Sequence, residues 1–229
     1  MRVLIVDDEE LTRRGLRALL SLEPDIDVVG EGADGAEVVP LVLSLRPDVV
    51  LMDVRMPVMD GIAATIALRD AELRETAPHQ DAPGLPRVVV VTTFENDEYV
   101  YDALRAGADG FLLKRAPAER IAAALRLVVS GDTLLFPEAV RRLALARPAA
   151  VETVPEGTLT ARELDVLRLM ACGLSNQDIG ARLYVTVETV KTHVGNVLAK
   201  LRATNRTQAV VMAYESGLVE PGRPASLMP

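Results

Sequence analysis

Residues 3–9 read VLIVDDE, four apolar residues followed by three acidic ones. An uninterrupted apolar run of this length is typical of a strand that is buried on both faces, as in a parallel sheet. Residues 49–53 read VVLMD, so Asp53 also follows a predicted buried strand. Because open α/β sheets build their sites at the carboxyl ends of parallel strands, we expect Asp7, Asp8 and Asp53 to lie close together.

Carboxylates that crowd together repel one another, which raises their pKa values unless a cation is present. Mg²⁺ suits such a cluster because it binds through one or two carboxylates, keeps some of its waters and recruits phosphate oxygens. The three aspartates therefore predict a phosphoryl-accepting aspartate with Mg²⁺ beside it.

Strand and helix patterns alternate from residue 1 to about residue 129. Apolar runs predict strands near 3–6, 27–31, 48–52, 87–92 and 110–113. Helical periodicity predicts helices near 11–21, 35–45, 61–71, 96–106 and 117–129. Five strand–helix units in this order predict an α/β fold with a doubly wound, flavodoxin-like sheet of five parallel strands. Residues 72–86 contain several Pro and Gly residues and predict a long surface loop.

Two polar residues lie at the ends of the last two predicted strands. Thr92 ends the fourth strand, and Lys114 follows the fifth. At the same edge of a parallel sheet these side chains would face the acidic cluster. Phosphoryl transfer depends on positioning and on charge neutralisation by a metal, a lysine and hydroxyl donors. The strand ends therefore supply the groups that this chemistry needs.

Residues 1–129 resemble the receiver domain of response regulators. The matching stretches are VDDE at 6–9, LMDVRMPVMDG at 51–61, VTT at 91–93 and AGADGFLLK at 106–114. The resemblance implies that Asp53 is the phospho-acceptor. It also implies that Mg²⁺ is held by Asp7, Asp8, Asp53 and the backbone carbonyl of Arg55.

The same resemblance assigns roles to three further residues. Thr92 and Lys114 would contact the phosphoryl oxygens, and Phe111 would be the aromatic residue that turns inward with Thr92 on activation. Asp53 would receive its phosphoryl group from the phosphohistidine of a sensor histidine kinase or from a small acyl phosphate.

Residues 158–218 predict four helices and no strand. Thr160 and Glu163 form a capping-box pattern that begins the first helix, and Ser175 begins a second, short helix. Thr186 is the predicted cap of a third helix. Two helices joined by a tight turn are typical of a helix-turn-helix, so we predict an all-α, four-helix DNA-binding domain.

The third of these helices has one apolar face and one polar face. Spacings of three and four residues place on the predicted buried face Val187, Val190, Val194, Val197 and Leu201. The opposite face is short-chained, polar and modestly basic, which suits insertion into the major groove of double-stranded DNA. Its first turns would contact base edges. The cations predicted to contact phosphates are Lys200, Arg202 and Arg206.

This part of the chain resembles the LuxR-type helix-turn-helix of NarL/FixJ regulators. The matching stretches are LTARE at 159–163, GLSNQDI at 173–179 and TVKTHV at 189–194. The resemblance implies that Lys191 is the main DNA contact, with Thr189, Thr192 and Asn196 beside it. His193 would brace the helix or reach a phosphate. The fourth helix, at 205–214, would pack on the bundle and offer part of its apolar face to a second copy.

We therefore expect a receiver at 1–129, a linker with a short helix at 130–157, a DNA-binding domain at 158–218 and a tail at 219–229. Charge differs between the two halves. Residues 1–154 contain 17 Lys and Arg against 26 Asp and Glu, whereas the rest of the chain contains 8 against 7. A net charge near +1 is low for a DNA-binding module. We therefore expect weak binding by the monomer and homodimerisation on activation.

The lone Cys172 excludes an intramolecular disulfide and fits a reducing compartment. The chain begins with a predicted strand, and its apolar runs are too short to span a bilayer. These features predict a cytoplasmic protein without membrane insertion.

The predicted function is a transcription regulator, not an enzyme, that is switched by phosphorylation of Asp53. One alternative is a Mg²⁺-dependent phosphohydrolase with Asp53 as nucleophile, but position 55 is Arg and no capping domain for a substrate is visible. Another is a DNA-binding regulator that needs no phosphorylation and uses its receiver as a scaffold. The intact set of acidic, hydroxyl and lysine residues argues against the scaffold.

Overall fold

The computed structural model describes residues 1–75, 86–93, 97–135, 137–145 and 157–219. The chain divides into two compact units, Met1–Val129 and Ser130–Pro229. Residues 146–156, which belong to the predicted linker at 130–157, lie outside the described residues. Within the described ranges, every helix is too short or too polar to cross a lipid bilayer.

The first unit is built on five parallel strands. They are β1 (Arg2–Val6), β2 (Asp27–Gly32), β3 (Val49–Asp53), β4 (Arg87–Thr92) and β5 (Gly110–Leu113). Their order in the sheet is β2-β1-β3-β4-β5, and every neighbouring pair is parallel. The central strand β3 is buried at all five positions, as its unbroken apolar run predicts. The predicted doubly wound sheet is confirmed.

Helices connect these strands. They are α1 (Glu10–Leu20), α2 (Val38–Leu45), α3 (Gly61–Glu75), α4 (Asp97–Arg105) and α5 (Ala118–Ser130), with a 3₁₀ turn at Gly35–Glu37 before α2. The prediction for the end of α3 is wrong by four residues. The helix continues through residues 72–75 because Glu, Leu and Arg favour helix, and Pro78 is the first residue that must interrupt it. The remainder of the predicted loop, 76–85, lies outside the described residues.

The second unit contains five described helices. They are α6 (Pro137–Leu145), α7 (Ala161–Ala171), α8 (Asn176–Leu183), α9 (Val187–Leu201) and α10 (Arg206–Glu215). Thr160 and Ser175 form complete capping boxes at α7 and α8, and Thr186 caps α9 by accepting from the Thr189 amide. These caps explain why the helices begin where the sequence predicts.

The predicted buried face of α9 is correct at three of its five positions, since Val194 is only half-buried and Val187 is exposed. Val190 and Val197 are fully buried and Leu201 is nearly so, whereas Val187 is 37% exposed. Residues 186–189 are all exposed. The first turn of α9, including Val187, is therefore open to solvent.

Candidate phosphoryl-acceptor site and DNA-binding surface

The structure brings the three predicted aspartates together at the carboxyl edge of the sheet. Asp7 and Asp8 follow β1, and Asp53 ends β3, which pairs directly with β1. One carboxylate oxygen from each lies within 4.8 Å of the others. Asp7 and Asp53 are buried, whereas Asp8 is exposed. The cluster therefore joins two desolvated carboxylates to one that water reaches.

Lys114 is the cation that faces this cluster. Its Nζ lies 2.7 Å from Asp7 Oδ2, 3.1 Å from Asp53 Oδ2 and 4.0 Å from Glu9 Oε2. Burial lowers the pKa of Lys114, but pairing with Asp7 and Asp53 outweighs burial and raises it. The single ammonium group of Lys114 thus lies beside three carboxylates, so the site retains an excess of negative charge.

The surroundings of Asp53 raise the pKa of its carboxyl group above the ordinary value. Burial raises the pKa of Asp53 and the nearby Asp7 carboxylate raises it further, while Lys114 and the Val54 amide oppose the shift without cancelling it. The Val54 amide donates to Asp53 Oδ1 at 2.8 Å, so Oδ2 is the oxygen that faces Lys114. A carboxylate with a raised pKa is stabilised by any further cation placed beside it.

The donor set fits a divalent cation that prefers oxygen ligands. Asp7 Oδ2 is buried and accepts no well-aligned hydrogen bond from the described residues, although Lys114 Nζ lies 2.7 Å away. An underused carboxylate oxygen beside two further carboxylates is the arrangement that Mg²⁺ binds, with water or phosphate completing its shell. Asp7, Asp8 and Asp53 can therefore hold a metal ion.

The acidic cluster opens into a cleft of about 530 Å³. Predicted site residues that line it are Asp8, Asp53, Arg55, Thr92 and Lys114. Thr92 is buried, and its carbonyl accepts the Lys114 amide at 2.8 Å, which ties the ends of β4 and β5 together. Phe111 lies on β5 opposite Val90 and is half-buried. The cleft is large enough for a phosphoryl group with its metal and waters.

Two residues that sequence reasoning missed position the loop after Asp53. Asp34 accepts hydrogen bonds from the Val58 and Met59 amides at 3.0 and 3.2 Å, and it also caps the 3₁₀ turn through the Ala36 amide. The Ala36, Val58 and Met59 amides lower the pKa of Asp34. Of the two roles of Asp34, only the capping of the 3₁₀ turn can be predicted from neighbouring residues, because an Asp followed by Gly at 34–35 is typical of a cap.

Gly61 closes the same loop against β3. A Cβ at this position would lie 2.1 Å from the Asp53 carbonyl oxygen, and the Gly61 amide donates to the Val54 carbonyl at 2.9 Å. Any larger residue would push the loop away from the acceptor. The glycine therefore acts through close backbone approach.

The exposed face of α9 carries the residues predicted to contact base edges. They are Thr189, Lys191, Thr192 and Asn196, all exposed. Lys191 Nζ lies 3.1 Å from Glu188 Oε1, and the two side chains are 51% and 81% exposed. Surface pairs of this kind contribute little stability, so Lys191 can leave Glu188 for another anion.

Lys200 and His193 are more constrained. Lys200 Nζ lies 2.7 Å from Oε2 of the buried Glu163, so α9 is joined at its last turn to the first turn of α7. His193 is half-buried, and its Nδ1 is buried without a hydrogen-bond partner among the described residues. If Lys200 also contacts a DNA phosphate, as predicted, its ammonium must pair with both Glu163 and the phosphate.

The prediction that Arg206 contacts a DNA phosphate is wrong. Arg206 is 6% exposed, and its guanidinium donates to Asn176 Oδ1 at 2.9 Å and to the Leu174 carbonyl at 2.7 Å. Burial lowers the pKa of Arg206 to about 10, against the opposing charge of Asp132. Because Arg206 begins α10 on the side that faces α8, its side chain braces the helix-turn-helix from inside.

The expected free apolar face of α10 is also largely covered. Seven of its ten residues are buried, and α6, α7 and α9 all pack against it. Asn176 Nδ2 donates to Asp132 Oδ1 at 2.9 Å, and the Thr133 hydroxyl donates to the Gly173 carbonyl at 3.2 Å. Residues 130–135 and α6, which the sequence assigns to the linker with its short helix, thus pack on the helical bundle.

Comparison with known proteins places both units. Residues 3–126 match the family described as response regulator receiver domain, and residues 157–213 match bacterial regulatory proteins of the luxR family. The chain belongs to the LuxR-type response regulators. It is 42% identical over 220 residues to the transcriptional regulatory protein LiaR of Bacillus subtilis, with 96% of this chain and 99% of that protein covered.

Two further relatives are similar to this chain, one over nearly its whole length and one over about two thirds of it. The response regulator protein VraR of Staphylococcus aureus is 39% identical over 220 residues, covering 96% of this chain and 99% of VraR. The crystal structure of a LuxR-family two-component response regulator from Aurantimonas sp. SI85-9A1 is 27% identical with a TM-score of 0.53, covering 64% of this chain and 96% of that one. The predicted family and fold class of this response regulator are confirmed.

We expect the Glu163–Lys200 pair to give the helical unit an acid-sensitive stability. The Lys200 ammonium and the Thr160 amide lower the pKa of Glu163 to about 2. A lowered folded-state pKa stabilises the fold above the ordinary carboxyl range, near pH 4.5, and the benefit is lost as pH falls toward 2. Glu163→Gln should lower the free energy of unfolding at pH 7 by roughly 1–2 kcal/mol.

Urea unfolding followed by circular dichroism, from pH 7 to about pH 3, would measure this effect. The difference between wild type and Glu163→Gln should shrink as pH falls. Glu188→Gln is the matched control, because Glu188 also pairs with a lysine but is 81% exposed. A difference that is constant across the pH range would contradict the assigned role of the Glu163 charge.

Proposed function

We propose that this response regulator is switched by Mg²⁺-dependent phosphorylation of Asp53 and binds double-stranded DNA through α9. The observation that carries the proposal is the cluster of three carboxylates with Lys114 beside a cleft of about 530 Å³. A strand-end aspartate with a lysine, a buried threonine and two neighbouring acids is equipped to accept a phosphoryl group and to stabilise it.

Asp53 supplies the nucleophile. Its carboxylate oxygen attacks the phosphorus of a sensor kinase phosphohistidine, the phosphorus–nitrogen bond breaks, and an acyl phosphate forms on Asp53. Asp7, Asp8, Asp53 and the backbone carbonyl of Arg55 would hold Mg²⁺, which would supply positive charge to neutralise the phosphoryl oxygens. Lys114 neutralises charge on the opposite side, and Thr92 donates its hydroxyl to a phosphoryl oxygen.

Phosphorylation changes the anionic groups with which Lys114 pairs. In this structure its ammonium is divided between Asp7 and Asp53. A phosphoryl group adds about two negative charges at Asp53 and draws Lys114 and Thr92 toward it. Phe111 follows Thr92 inward, which reshapes the face of α4 and α5 and favours a homodimer. The shift in population is limited by the difference in free energy that the phosphoryl group makes between the two states.

DNA recognition falls to the exposed face of α9. Lys191 is the principal contact, with Thr189, Thr192 and Asn196 beside it, and dimerisation places two such helices on paired half-sites. Lys191 is exposed and its only described ion pair is with the exposed Glu188. The low positive charge of the helical unit makes this pairing of half-sites important for affinity.

Solution mass tests the switch. Light scattering on the whole protein with Mg²⁺ and beryllofluoride, a phosphoryl mimic, should show a change from monomer to dimer. DNA affinity should rise under the same conditions. Binding of the mimic without either change would favour the alternative in which the receiver is a scaffold. Repeated turnover of an aryl phosphate would instead favour the phosphohydrolase.

We expect Lys191→Ala to weaken binding to a selected DNA duplex by about tenfold or more, because a good base contact contributes about 1–3 kcal/mol. Fluorescence anisotropy of the beryllofluoride-bound protein would measure the change. Arg142→Ala is the control, since it removes one cation from α6 in the same unit. Equal losses in both variants would show a general charge effect and not a contact made by α9.

A further inference from the structure

Tyr184 is an aromatic residue that the fold leaves almost entirely in solvent. It lies in the turn between α8 and α9, and 94% of its surface is exposed. Tyrosine normally buries most of its ring and keeps only the hydroxyl near water. The ring of Tyr184 therefore adds nothing to the core of the helical unit.

The turn requires the backbone conformation at this position but not the tyrosine side chain. Tyr184 is left-handed, with φ 57 and ψ 43, and its amide bonds to the Gly180 carbonyl at the end of α8. Glycine or asparagine usually occupies this position at a helix end, because other side chains are strained in the left-handed region. The sequence thus keeps a strained, exposed aromatic residue where a smaller residue would suit the fold better.

The location of Tyr184 indicates what it contacts. It stands two residues before Thr186, which caps α9, and the first turn of α9 is exposed throughout. If α9 inserts in a major groove, a side chain just before its first turn lies at the groove edge, where the sugars and phosphates are. A phenol suits that surface, since its ring packs on a sugar and its hydroxyl donates to a phosphate oxygen.

We propose that Tyr184 contacts the sugar–phosphate backbone of DNA beside the groove that α9 occupies. This inference rests on the proposed DNA binding by α9 and adds a contact that reads no base. Because tyrosine is neutral, its contact should strengthen binding to any duplex by a similar factor and leave the salt dependence unchanged. Lys191, in contrast, should act mainly on the preferred sequence.

The test measures DNA affinity and thermal stability of the whole protein with Mg²⁺ and beryllofluoride. The probes are a duplex of about 30 base pairs, selected by the wild type from a random library, and a scrambled duplex of the same composition. The variants are Tyr184→Asn, Tyr184→Phe and Lys191→Ala. Arg46→Asn is the matched control, because Arg46 is also exposed and left-handed, with φ 46, but ends α2 in the receiver.

We expect Tyr184→Asn to weaken binding to both duplexes about five- to tenfold, with Tyr184→Phe intermediate. Both asparagine variants should melt at or slightly above the wild-type temperature, since asparagine tolerates the left-handed conformation. Arg46→Asn should leave DNA affinity unchanged. If Tyr184→Asn binds DNA more weakly but keeps its melting temperature, the tyrosine contacts DNA and does not stabilise the fold.

Four results would overturn the inference. Unchanged affinity in Tyr184→Asn would show that the ring does not touch DNA, and loss on the selected duplex alone would indicate a base contact instead. Tighter binding would mean that Tyr184 covers another surface of this chain, and a lower melting temperature would make it structural. If the wild type enriches no duplex from the library and does not bind the scrambled one, the proposed function fails as well. If only Lys191→Ala weakens binding, the function stands and the Tyr184 contact does not.

Discussion

The Asp53→Asn protein is expected to take up no phosphoryl group from acetyl phosphate and Mg²⁺ under conditions that phosphorylate the wild type. An amide has nearly the same shape as the carboxylate but lacks the charged oxygen that attacks phosphorus. Asp53 is the buried acid that ends the central strand and faces Lys114 at 3.1 Å. The loss should therefore be complete and not partial.

Intact-protein mass spectrometry at increasing times after mixing would measure phosphoryl uptake. Asp60→Asn is a close control because Asp60 lines the same cleft and caps α3, accepting from the Ala63 amide at 2.7 Å. Asparagine caps a helix as well as aspartate, so this variant should fold and be phosphorylated normally. Phosphorylation of Asp53→Asn at the wild-type rate would show that the phospho-acceptor is another residue.

The two states of the site differ chiefly in how positive charge is distributed. Lys114 already compensates Asp7 and Asp53, and these pairs hold it close to the position that a phosphoryl group would demand. Asp7, whose buried Oδ2 lacks a well-aligned donor among the described residues, would pair with Mg²⁺ in place of Lys114. Lys114 would then be available to the phosphoryl oxygens. Metal and lysine thus divide the charge of the site between them.

Much of the receiver could be predicted because its signals are local. A buried parallel strand shows as an apolar run, and the residue that follows it must emerge at the carboxyl edge, which is why Asp53 and Lys114 could be placed. The same holds for the caps at Thr160 and Ser175, where a hydroxyl and an acid three residues later are sufficient.

What could not be predicted depends on residues far apart in sequence. Asp34 holds amides 24 and 25 residues away, and the requirement for glycine at 61 comes from the carbonyl of Asp53. The Pro and Gly residues within 72–86 predicted a loop from residue 72, whereas α3 continues through residues 72–75. A charged residue is usually exposed, so the burial of Arg206 has no signal in its neighbours. Only the folded bundle brings Asn176 and the Leu174 carbonyl to it.

We expect Arg206→Ala to be the most destabilising substitution considered for the helical unit. It removes two hydrogen bonds, leaves the Asn176 carbonyl oxygen and the Leu174 carbonyl without donors, and opens a cavity. Unsatisfied buried acceptors and a cavity together cost about 2–4 kcal/mol. Arg206→Lys should also destabilise, because an ammonium lacks the rigid fork that reaches both acceptors.

Hydrogen–deuterium exchange of the whole protein would resolve this loss, since amides in α8 and α10 should exchange faster while those in the sheet do not. Arg182→Ala, on the exposed side of α8, is the control and should change stability by no more than about 0.5 kcal/mol. DNA affinity separates the two roles considered for Arg206. At a temperature where the variant is folded, its affinity and salt dependence should match the wild type, because a buried guanidinium contributes no phosphate contact. Weaker binding with unchanged exchange would instead show that Arg206 leaves the bundle to reach DNA.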